Sequence, residues 1–437
     1  MNTTNPVPTL LSIPQRQVPV RNDERATRKS SGAHDNDFLS KVQFIFFLAA
    51  LVLIPSFILP LPWGWSEFAK GGLLLMFAVV LITIEVMKIF LTGKMSFVKN
   101  FLDLSILLIL ASFLVSTVFS RDLGTSLWGI DNRVGTGFVV FICMVVFFYI
   151  GRSLTRTEKR MEKVLLFGSL GLSLSALLSI LSFFSVNLLG MFSSMNDLFI
   201  PGFPVLASAV VGIFAWGFGL LMTVTYMLRK KEDSAVLDAL SFLFSLFNIV
   251  AIVLFSLNQG LSLVILLIVA LLAVFVLVIM NKKEFSGAQF AYLVLMIVLL
   301  AVPTILFRFD SIREPVVEST NAVTQISLPG QTTWSIVANT LSDSVGTGLI
   351  GLGVDTFSIY YNIHKPAFLG DFDLTTTSFS FGNSEVLTLM GNRGIVGALI
   401  WLVVGVFITL QMIKGLTNKD RSVSNKVLVF SFDVLLA

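Results

Sequence analysis

Residues 261–280 read LSLVILLIVALLAVFVLVIM, a stretch of 20 residues without a charged side chain. An α-helix rises about 1.5 Å per residue, so about 20 apolar residues cross the hydrocarbon core of a bilayer. This length and composition therefore predict a membrane-spanning helix.

Ten stretches of the chain meet this criterion approximately. They are Val42–Leu61, Gly71–Phe90, Phe101–Phe119, Val134–Ile150, Val164–Leu189, Val205–Leu228, Ala239–Leu257, Leu261–Met280, Ala288–Phe307 and Ile395–Ile413. An eleventh apolar run, Val427–Ala437, is too short to span, and we interpret it as either the start of a truncated span or an interfacial segment. The predicted fold class is an all-α polytopic transmembrane helical bundle.

The composition supports this fold class. Hydrophobic residues make up 55% of the 437 positions and charged residues only 13%, whereas a soluble domain carries about 25% charged residues. Lipid as the solvent explains this shortfall better than an unusually large core. The single cysteine, Cys143, and the widely separated His34 and His364 offer no cluster of metal ligands, so a metal site is not expected. No other cofactor is predicted.

The positions of Lys and Arg predict the orientation, because cytoplasmic loops carry an excess of both. With the N-terminus inside, only seven of the 30 Lys and Arg residues fall outside. These seven are Lys70, Arg121, Arg133, Arg308, Arg313, Lys365 and Arg393. The bias predicts a multi-pass protein of the cytoplasmic membrane with a cytoplasmic N-terminus. It also accounts for the net charge of +4 without a nucleic-acid partner.

Four regions follow from this topology. Residues 1–40 are polar and basic and are expected to form a disordered cytoplasmic tail. Residues 41–307 hold the first nine spans, residues 308–393 form an extracytoplasmic loop domain, and residues 394–437 hold the tenth span and the start of a further one. The long loop is too apolar and aromatic for disorder, so we expect it to be folded and functional, with a short helix or two.

Charged residues within the spans are scarce. Glu85, Asp103 and Asp238 all lie near the predicted cytoplasmic ends. Transporters that couple to ions usually carry ionisable groups near the midplane, and the absence of such groups argues against a coupled transporter. Polar residues instead concentrate at the predicted outer face, as expected of an enzyme that acts on a lipid-linked substrate outside the membrane.

Short motifs in a fixed order add a family resemblance. In chain order they are LWGIDNRVG (127–135), TWSI (333–336), GLIGLGVDTF (348–357), YY (360–361), HKP (364–366), NSEVL (383–387) and GIVG (394–397). This order resembles the O-antigen ligase and O-antigen polymerase family of bacterial membrane glycosyltransferases, over roughly residues 100 to 415. The first motif looks like that family's Gly-Ser-x-x-Arg-x-Gly element.

The resemblance implies a reaction. A glycan on undecaprenyl pyrophosphate is transferred outside the membrane to a hydroxyl of a glycan or lipid acceptor, without a nucleotide or a metal. The leaving pyrophosphate gathers negative charge, which the permanently charged, bidentate guanidinium of arginine stabilises. Arg133 lies on the family's arginine element and is predicted to contact the pyrophosphate, with an interfacial anchor as the alternative.

One position departs from the family. Its ligases usually carry a catalytic histidine before the stretch that opens the next span, where this chain reads Gly382-Asn383-Ser384-Glu385. Glu385 is the nearest candidate to replace the histidine as the catalytic base. His364, about twenty residues upstream, is a second candidate by proximity in space or an ordinary loop residue.

Further substrate-binding candidates surround these residues, each with a structural alternative. Lys365 matches a basic-Pro position of the family and is predicted to contact glycan or phosphate, or to form a turn. Arg308 and Arg393 are phosphate contacts or membrane anchors, and Tyr361 and Trp334 stack on sugar rings or pack in the loop.

Two other functions stay open. A flippase or transporter of lipid-linked sugars would need a continuous polar cavity between the spans, which nearly charge-free helices disfavour. A catalytically inactive relative that binds glycolipid is compatible with the missing histidine. In each case membrane lipid is an expected partner.

Overall fold

The computed structural model describes residues 24–57, 66–93, 101–129, 137–155, 157–184, 186, 209–229, 234–257, 261–280, 285–318, 328–366, 379 and 381–417. These residues form fifteen α-helices and no strand. In chain order the helices are α1 (Glu24–Ser56), α2 (Ser66–Thr92), α3 (Phe101–Val118), α4 (Leu123–Trp128), α5 (Phe138–Leu154), α6 (Glu158–Phe183), α7 (Ala209–Arg229), α8 (Ala235–Phe255), α9 (Leu261–Met280), α10 (Gly287–Leu306), α11 (Asp310–Glu318), α12 (Gly330–Ser342), α13 (Val345–Ile350), α14 (Phe357–His364) and α15 (Glu385–Thr417).

Seven of the described helices are long and apolar enough to cross a membrane, namely α1, α2, α6, α7, α8, α10 and α15. The shorter helices α3, α5 and α9 are also apolar. The predictions of an all-helical fold and of several membrane-crossing helices are therefore confirmed. The count of ten complete spans and the orientation stay predictions, and the apolar run Val427–Ala437 lies outside the described residues.

The first helix begins well before the first predicted span. Helix α1 starts at Glu24, so residues 24–40 are helical, although their sequence predicts disorder. Extending a helix costs far less than nucleating one, and the apolar span supplies the nucleus. The Glu, Arg, Ala and Lys residues of this stretch also have good helix propensity. Residues 1–23, the rest of the predicted tail, lie outside the described residues.

The main hydrophobic core lies among helices α6 to α10. Large side chains from four of these helices are completely buried. They include Trp216, Leu220, Ile252, Leu271 and Met296. The core therefore consists mainly of contacts between apolar helices.

A buried asparagine joins three of these helices. Asn248 of α8 donates from Nδ2 to Ser173 Oγ on α6 (2.8 Å) and to the carbonyl of Phe244 (2.9 Å). On α7, a Cβ added to Gly219 would lie 3.0 Å from Asn248 Oδ1. Small residues that let helices approach closely, together with side-chain hydrogen bonds between helices, are typical of membrane bundles.

Two carboxylates within the apolar helices are paired. Glu85 Oε2 lies 2.8 Å from Lys88 Nζ and accepts a hydrogen bond of 3.0 Å from Gln43 Nε2. Asp103 Oδ1 lies 2.7 Å from Arg152 Nη1. The Glu85 interactions connect α1 with α2, and the Asp103 ion pair connects α3 with α5. Helix pairing therefore accounts for both carboxylates.

The connecting segment, residues 308–393, is folded wherever the structure describes it. It contains α11 to α14 and the first turns of α15, which is more than the one or two short helices that its sequence predicts. A small core of its own holds α12, α14 and the first turns of α15 together. The buried members of this core are Leu328, Ile336, Val337, Leu352, Phe357, Tyr360 and Tyr361.

Helix α15 runs from the connecting segment into the last candidate span. It begins at Glu385, ten residues before the predicted span, and its backbone is non-helical at Gly394, where φ is 66°. The predicted start of the span, Ile395, therefore coincides with a kink inside a longer helical element.

Candidate functional site

The glycine-rich stretch of the connecting segment packs against the kink of α15. The contact between residues 351–354 and residues 391–394 is called the glycine junction below. Leu352 N–H donates to the carbonyl of Gly391 (3.2 Å), and Gly353 N–H donates to the carbonyl of Asn392 (3.0 Å). Gly351 and Gly353 have positive φ values of 81° and 127°, which favour glycine.

Steric constraints explain why glycine occupies these positions. A Cβ on Gly351 would overlap the carbonyl oxygen of Asn392, and a Cβ on Gly394 would overlap the backbone of Leu349. A Cβ on Gly353 would overlap Ser120 Oγ. The junction therefore forms only because its backbones approach without intervening side chains.

Serine hydroxyls from α3, α4 and the turn between them complete the junction. Ser116 Oγ donates to the carbonyl of Asn392 (2.8 Å), and Ser126 Oγ donates to the carbonyl of Val354 (2.9 Å). Ser120 Oγ donates to the carbonyl of Leu352 (3.2 Å). Together they bind the glycine-rich stretch and α15 to a part of the chain more than 200 residues earlier in sequence.

Arg393 is the cation at the centre of this arrangement. Its guanidinium carbon lies 3.4 Å from the ring centroid of Phe113 on α3 and 5.6 Å from that of Trp401. Nε and Nη1 are buried, and neither has a hydrogen-bond partner among the described residues. Glu385 attracts the guanidinium electrostatically from two helical turns away. Two buried donors therefore point at no acceptor in the described structure.

Other buried polar atoms without a partner belong to the same two helices. They are Ser112 Oγ and Thr117 Oγ1 on α3 and Asn392 Oδ1 on α15. Phe113 and Ser116, on the same side of α3, contact α15 directly. A buried polar group without a partner costs about 1–3 kcal/mol. The hydroxyls of Ser112 and Thr117 can donate to an anion or to ordered water, whereas Asn392 Oδ1 is an acceptor that water but not an anion can satisfy.

Glu385 is exposed at the first turn of α15, beside the loop that precedes the helix. That loop is attached to α12, because Asn383 N–H donates to Thr333 Oγ1 (3.1 Å). Gly382 N–H donates to Thr388 Oγ1 (3.0 Å), which lies one turn into α15. Glu385, the predicted base, is thus an accessible carboxylate on a well-fixed helix start.

Tyr360 lies between Glu385 and the glycine junction. Its hydroxyl donates to the carbonyl of Thr388 (3.4 Å), and a Cβ on Gly391 would overlap its ring. Burial, and then the negative charges of Glu385 and Asp355, raise the pKa of Tyr360 well above its usual value. The hydroxyl is therefore protonated at physiological pH and can act only as a neutral hydrogen-bonding group.

The predicted residues of α14 form a separate group. His364 Nε2 lies 3.0 Å from Asp343 Oδ2 and so links the end of α14 to the end of α12. Lys365 Nζ lies 5.6 Å from the ring centroid of Tyr361. The Tyr361 ring is fully buried against Phe379, which fits the packing alternative for this tyrosine.

The remaining predicted residues are dispersed. Trp334 on α12 is 51% exposed, so its ring is available to a ligand. Arg308 is exposed directly after α10. Arg133, the predicted pyrophosphate contact, lies outside the described residues. The structure thus relates Glu385 and Arg393 to each other through α15 and groups His364, Lys365 and Tyr361 at the end of α14.

Several residues at the junction carried no predicted role. Asp355 is buried at the junction and, among the described residues, is the one non-glycine residue with a positive φ, at 58°. Its position after Gly353 was a usable signal, because Asp tolerates this conformation better than most residues. Ser116, Ser120 and Ser126 gave no such signal, since isolated serines in an apolar region are common. Among the described residues, no three His, Cys, Asp or Glu side chains are grouped as metal ligands.

Comparison of the chain with protein-family models, with curated proteins and with solved structures finds no match.

Proposed function

We propose that this protein transfers or polymerises a glycan from an undecaprenyl-pyrophosphate-linked donor at the outer face of the cytoplasmic membrane. The observation that carries the proposal is Arg393, a buried guanidinium with two unpartnered donors, beside the folded connecting segment. Buried guanidinium donors without acceptors are costly, and a phosphate ligand would supply acceptors together with a close negative charge.

The proposed reaction assigns different roles to Glu385, at the start of α15, and to Arg393, directly before its kink. In the reaction, an acceptor hydroxyl oxygen forms a bond to the anomeric carbon of the donor sugar. The bond from that carbon to the pyrophosphate oxygen breaks, and undecaprenyl pyrophosphate leaves with the electron pair. Arg393 stabilises the developing charge on the leaving group, and Glu385 accepts the proton of the hydroxyl.

The positions of these residues support that division. Glu385 is exposed, as a base that meets an incoming acceptor has to be, whereas Arg393 is half-buried at the kink with its Nε and Nη1 atoms fully buried. Trp334 offers an exposed aromatic surface for a sugar ring. Arg133 stays the second proposed pyrophosphate contact, on the strength of the family resemblance.

The decisive experiment is glycan transfer by the purified protein in lipid nanodiscs. The wild type is incubated with undecaprenyl-pyrophosphate oligosaccharide and an acceptor, and lengthened or transferred glycan is measured. Arg393→Gln is expected to lower turnover about 100-fold or more, as loss of one transition-state donor does. Arg393→Lys should recover only part of the activity, because lysine keeps the charge but not the bidentate geometry.

Two controls separate chemistry from folding. Lys159→Gln removes an exposed cation at the start of α6, outside the α3–α15 interface, and should leave turnover within a few-fold of wild type. Thermal unfolding of each variant reports whether Arg393→Gln is folded. Wild-type protein that binds the donor without turning it over would indicate an inactive glycolipid-binding relative, and a failure to bind would contradict the proposal altogether.

A further inference from the structure

Helix α13 exposes its apolar side chains within an otherwise folded segment. None of its six residues is buried. Val345 and Leu349 are 81% and 47% exposed, and they lie four residues apart, so they share one face of the helix. These two neighbouring aliphatic side chains form a small apolar surface that no described residue covers.

The position of α13 indicates what covers this surface. The backbone of Leu349 packs against Gly394, where α15 enters its candidate span. The span then exposes Ile395 and Leu399 directly after the kink. Further along α15, Leu402, Val403, Val406 and Leu410 are also exposed. The apolar face of α13 is therefore continuous with the surface that α15 presents to lipid.

The polar residues of α13 lie at its first turn. Ser344 and Thr347 form a reciprocal capping box, and Ser342 and Asp343 are exposed just before it. A helix with an apolar face beside the acyl chains and a polar start in water is typical of an interfacial position.

We infer that α13 lies in the membrane interface, with Val345 and Leu349 inserted among lipid acyl chains. The occupant of this face is the bilayer itself, because the face continues the lipid-facing surface of a candidate span. The inference is independent of the glycan-transfer function proposed above. If that function holds as well, α13 and the lipid headgroups lie at the same depth as Arg393.

Spin labels on single cysteines test this position. Val345→Cys and Leu349→Cys are introduced into the full chain with Cys143→Ala, and the protein is placed in phosphatidylethanolamine–phosphatidylglycerol nanodiscs. Accessibility of each label to oxygen and to a water-soluble nickel chelate is measured by power saturation. Leu402→Cys serves as the lipid-facing control, and Ser342→Cys serves as the water-facing control.

Labels at Val345 and Leu349 are expected to favour oxygen over the nickel chelate by at least threefold, as the label at Leu402 should, and the label at Ser342 should show the reverse. A preference for the nickel chelate at both positions would overturn the inference, because the face would then contact water. Low accessibility to both reagents would overturn it too, because a protein surface would then cover α13. The two positions are tested separately, so a folding defect in one variant does not prevent the decision.

Discussion

Three glycines at the junction occupy positions where any side chain would collide with another backbone or side chain. Gly353 combines a φ of 127° with the contact to Ser120, so it faces both a conformational and a steric constraint. Gly351 and Gly394 meet neighbouring backbone atoms in the same way. The geometry around Arg393 therefore depends on residues without side chains, and a methyl group is enough to test it.

Gly353→Ala is expected to destabilise the protein by about 2 kcal/mol or more, since a disfavoured backbone conformation costs about 1–3 kcal/mol before any overlap is counted. Gly72→Ala is the matched control, because nothing lies within 4 Å of a Cβ there and α2 is helical. It should be neutral or slightly stabilising. Unfolding in mixed detergent micelles measures both changes, and equal effects for the two variants would contradict the proposed constraint.

At the level of single residues, the sequence predicted the charged residues of the candidate site but not the residues that surround them. Glu385 was identifiable from its position in the family resemblance, and Arg393 because it is a cation directly before an apolar span. Their surroundings were not, because Phe113, Ser116 and Ser120 are distant in sequence and carry no local pattern. Contacts between distant elements depend on how whole helices pack, which short-range periodicity does not report.

Among the helices, the Asn248 contact is the clearest case of a polar interaction that orders a membrane bundle. It connects α6 to α8 by hydrogen bonds, and it lies against Gly219 of α7. Its Oδ1 has no hydrogen-bond partner among the described residues. Hydrogen bonds of this kind contribute about 0.6 kcal/mol on average in membrane proteins.

A double-mutant cycle with Asn248→Ala and Ser173→Ala should give a coupling free energy of about 0.6 kcal/mol, with about 1.7 kcal/mol as the upper limit. Unfolding by sodium dodecyl sulphate in mixed micelles measures each variant. The pair Thr83→Ala and Ser173→Ala is a control, because the exposed Thr83 hydroxyl bonds only to the carbonyl of Val79 on its own helix. A zero coupling between Asn248 and Ser173 would show that the hydrogen bond adds nothing to packing.

Helix boundaries show what hydropathy can and cannot predict. Helix α9 has the same limits as the predicted span Leu261–Met280, and α10 differs from its prediction by one residue at each end. Helices α1 and α15 start at Glu24 and Glu385, well before the predicted spans that begin at Val42 and Ile395. Hydropathy reports where side chains contact lipid, whereas a helix can continue into water or into a folded segment beyond the bilayer.

For the molecule as a whole, the distribution of Lys and Arg predicts that the connecting segment and the α5–α6 turn lie on opposite sides of the membrane. Both regions offer exposed positions, Ser342 at the end of α12 and Lys159 at the start of α6. The all-helical architecture does not distinguish this orientation from its inverse, so it has to be measured.

Ser342→Cys in a Cys143→Ala background is expected to react with a membrane-impermeant thiol reagent on intact cells, and Lys159→Cys is expected to react only after the membrane is permeabilised. Mass-shift labelling on gels measures both. Labelling of Lys159→Cys alone in intact cells would invert the predicted orientation and with it the proposed outer location of the site.

The kink at Gly394 has a consequence for biosynthesis. A break in a helix leaves carbonyls without their intrahelical donors, and such groups are costly in a bilayer. At this break, the carbonyls of Gly391 and Asn392 accept from Leu352, Gly353 and Ser116, which all precede α15 in the chain. A ribosome therefore delivers the donors before the acceptors, so the candidate span of α15 leaves the translocon after the groups that bond to its carbonyls have been synthesised.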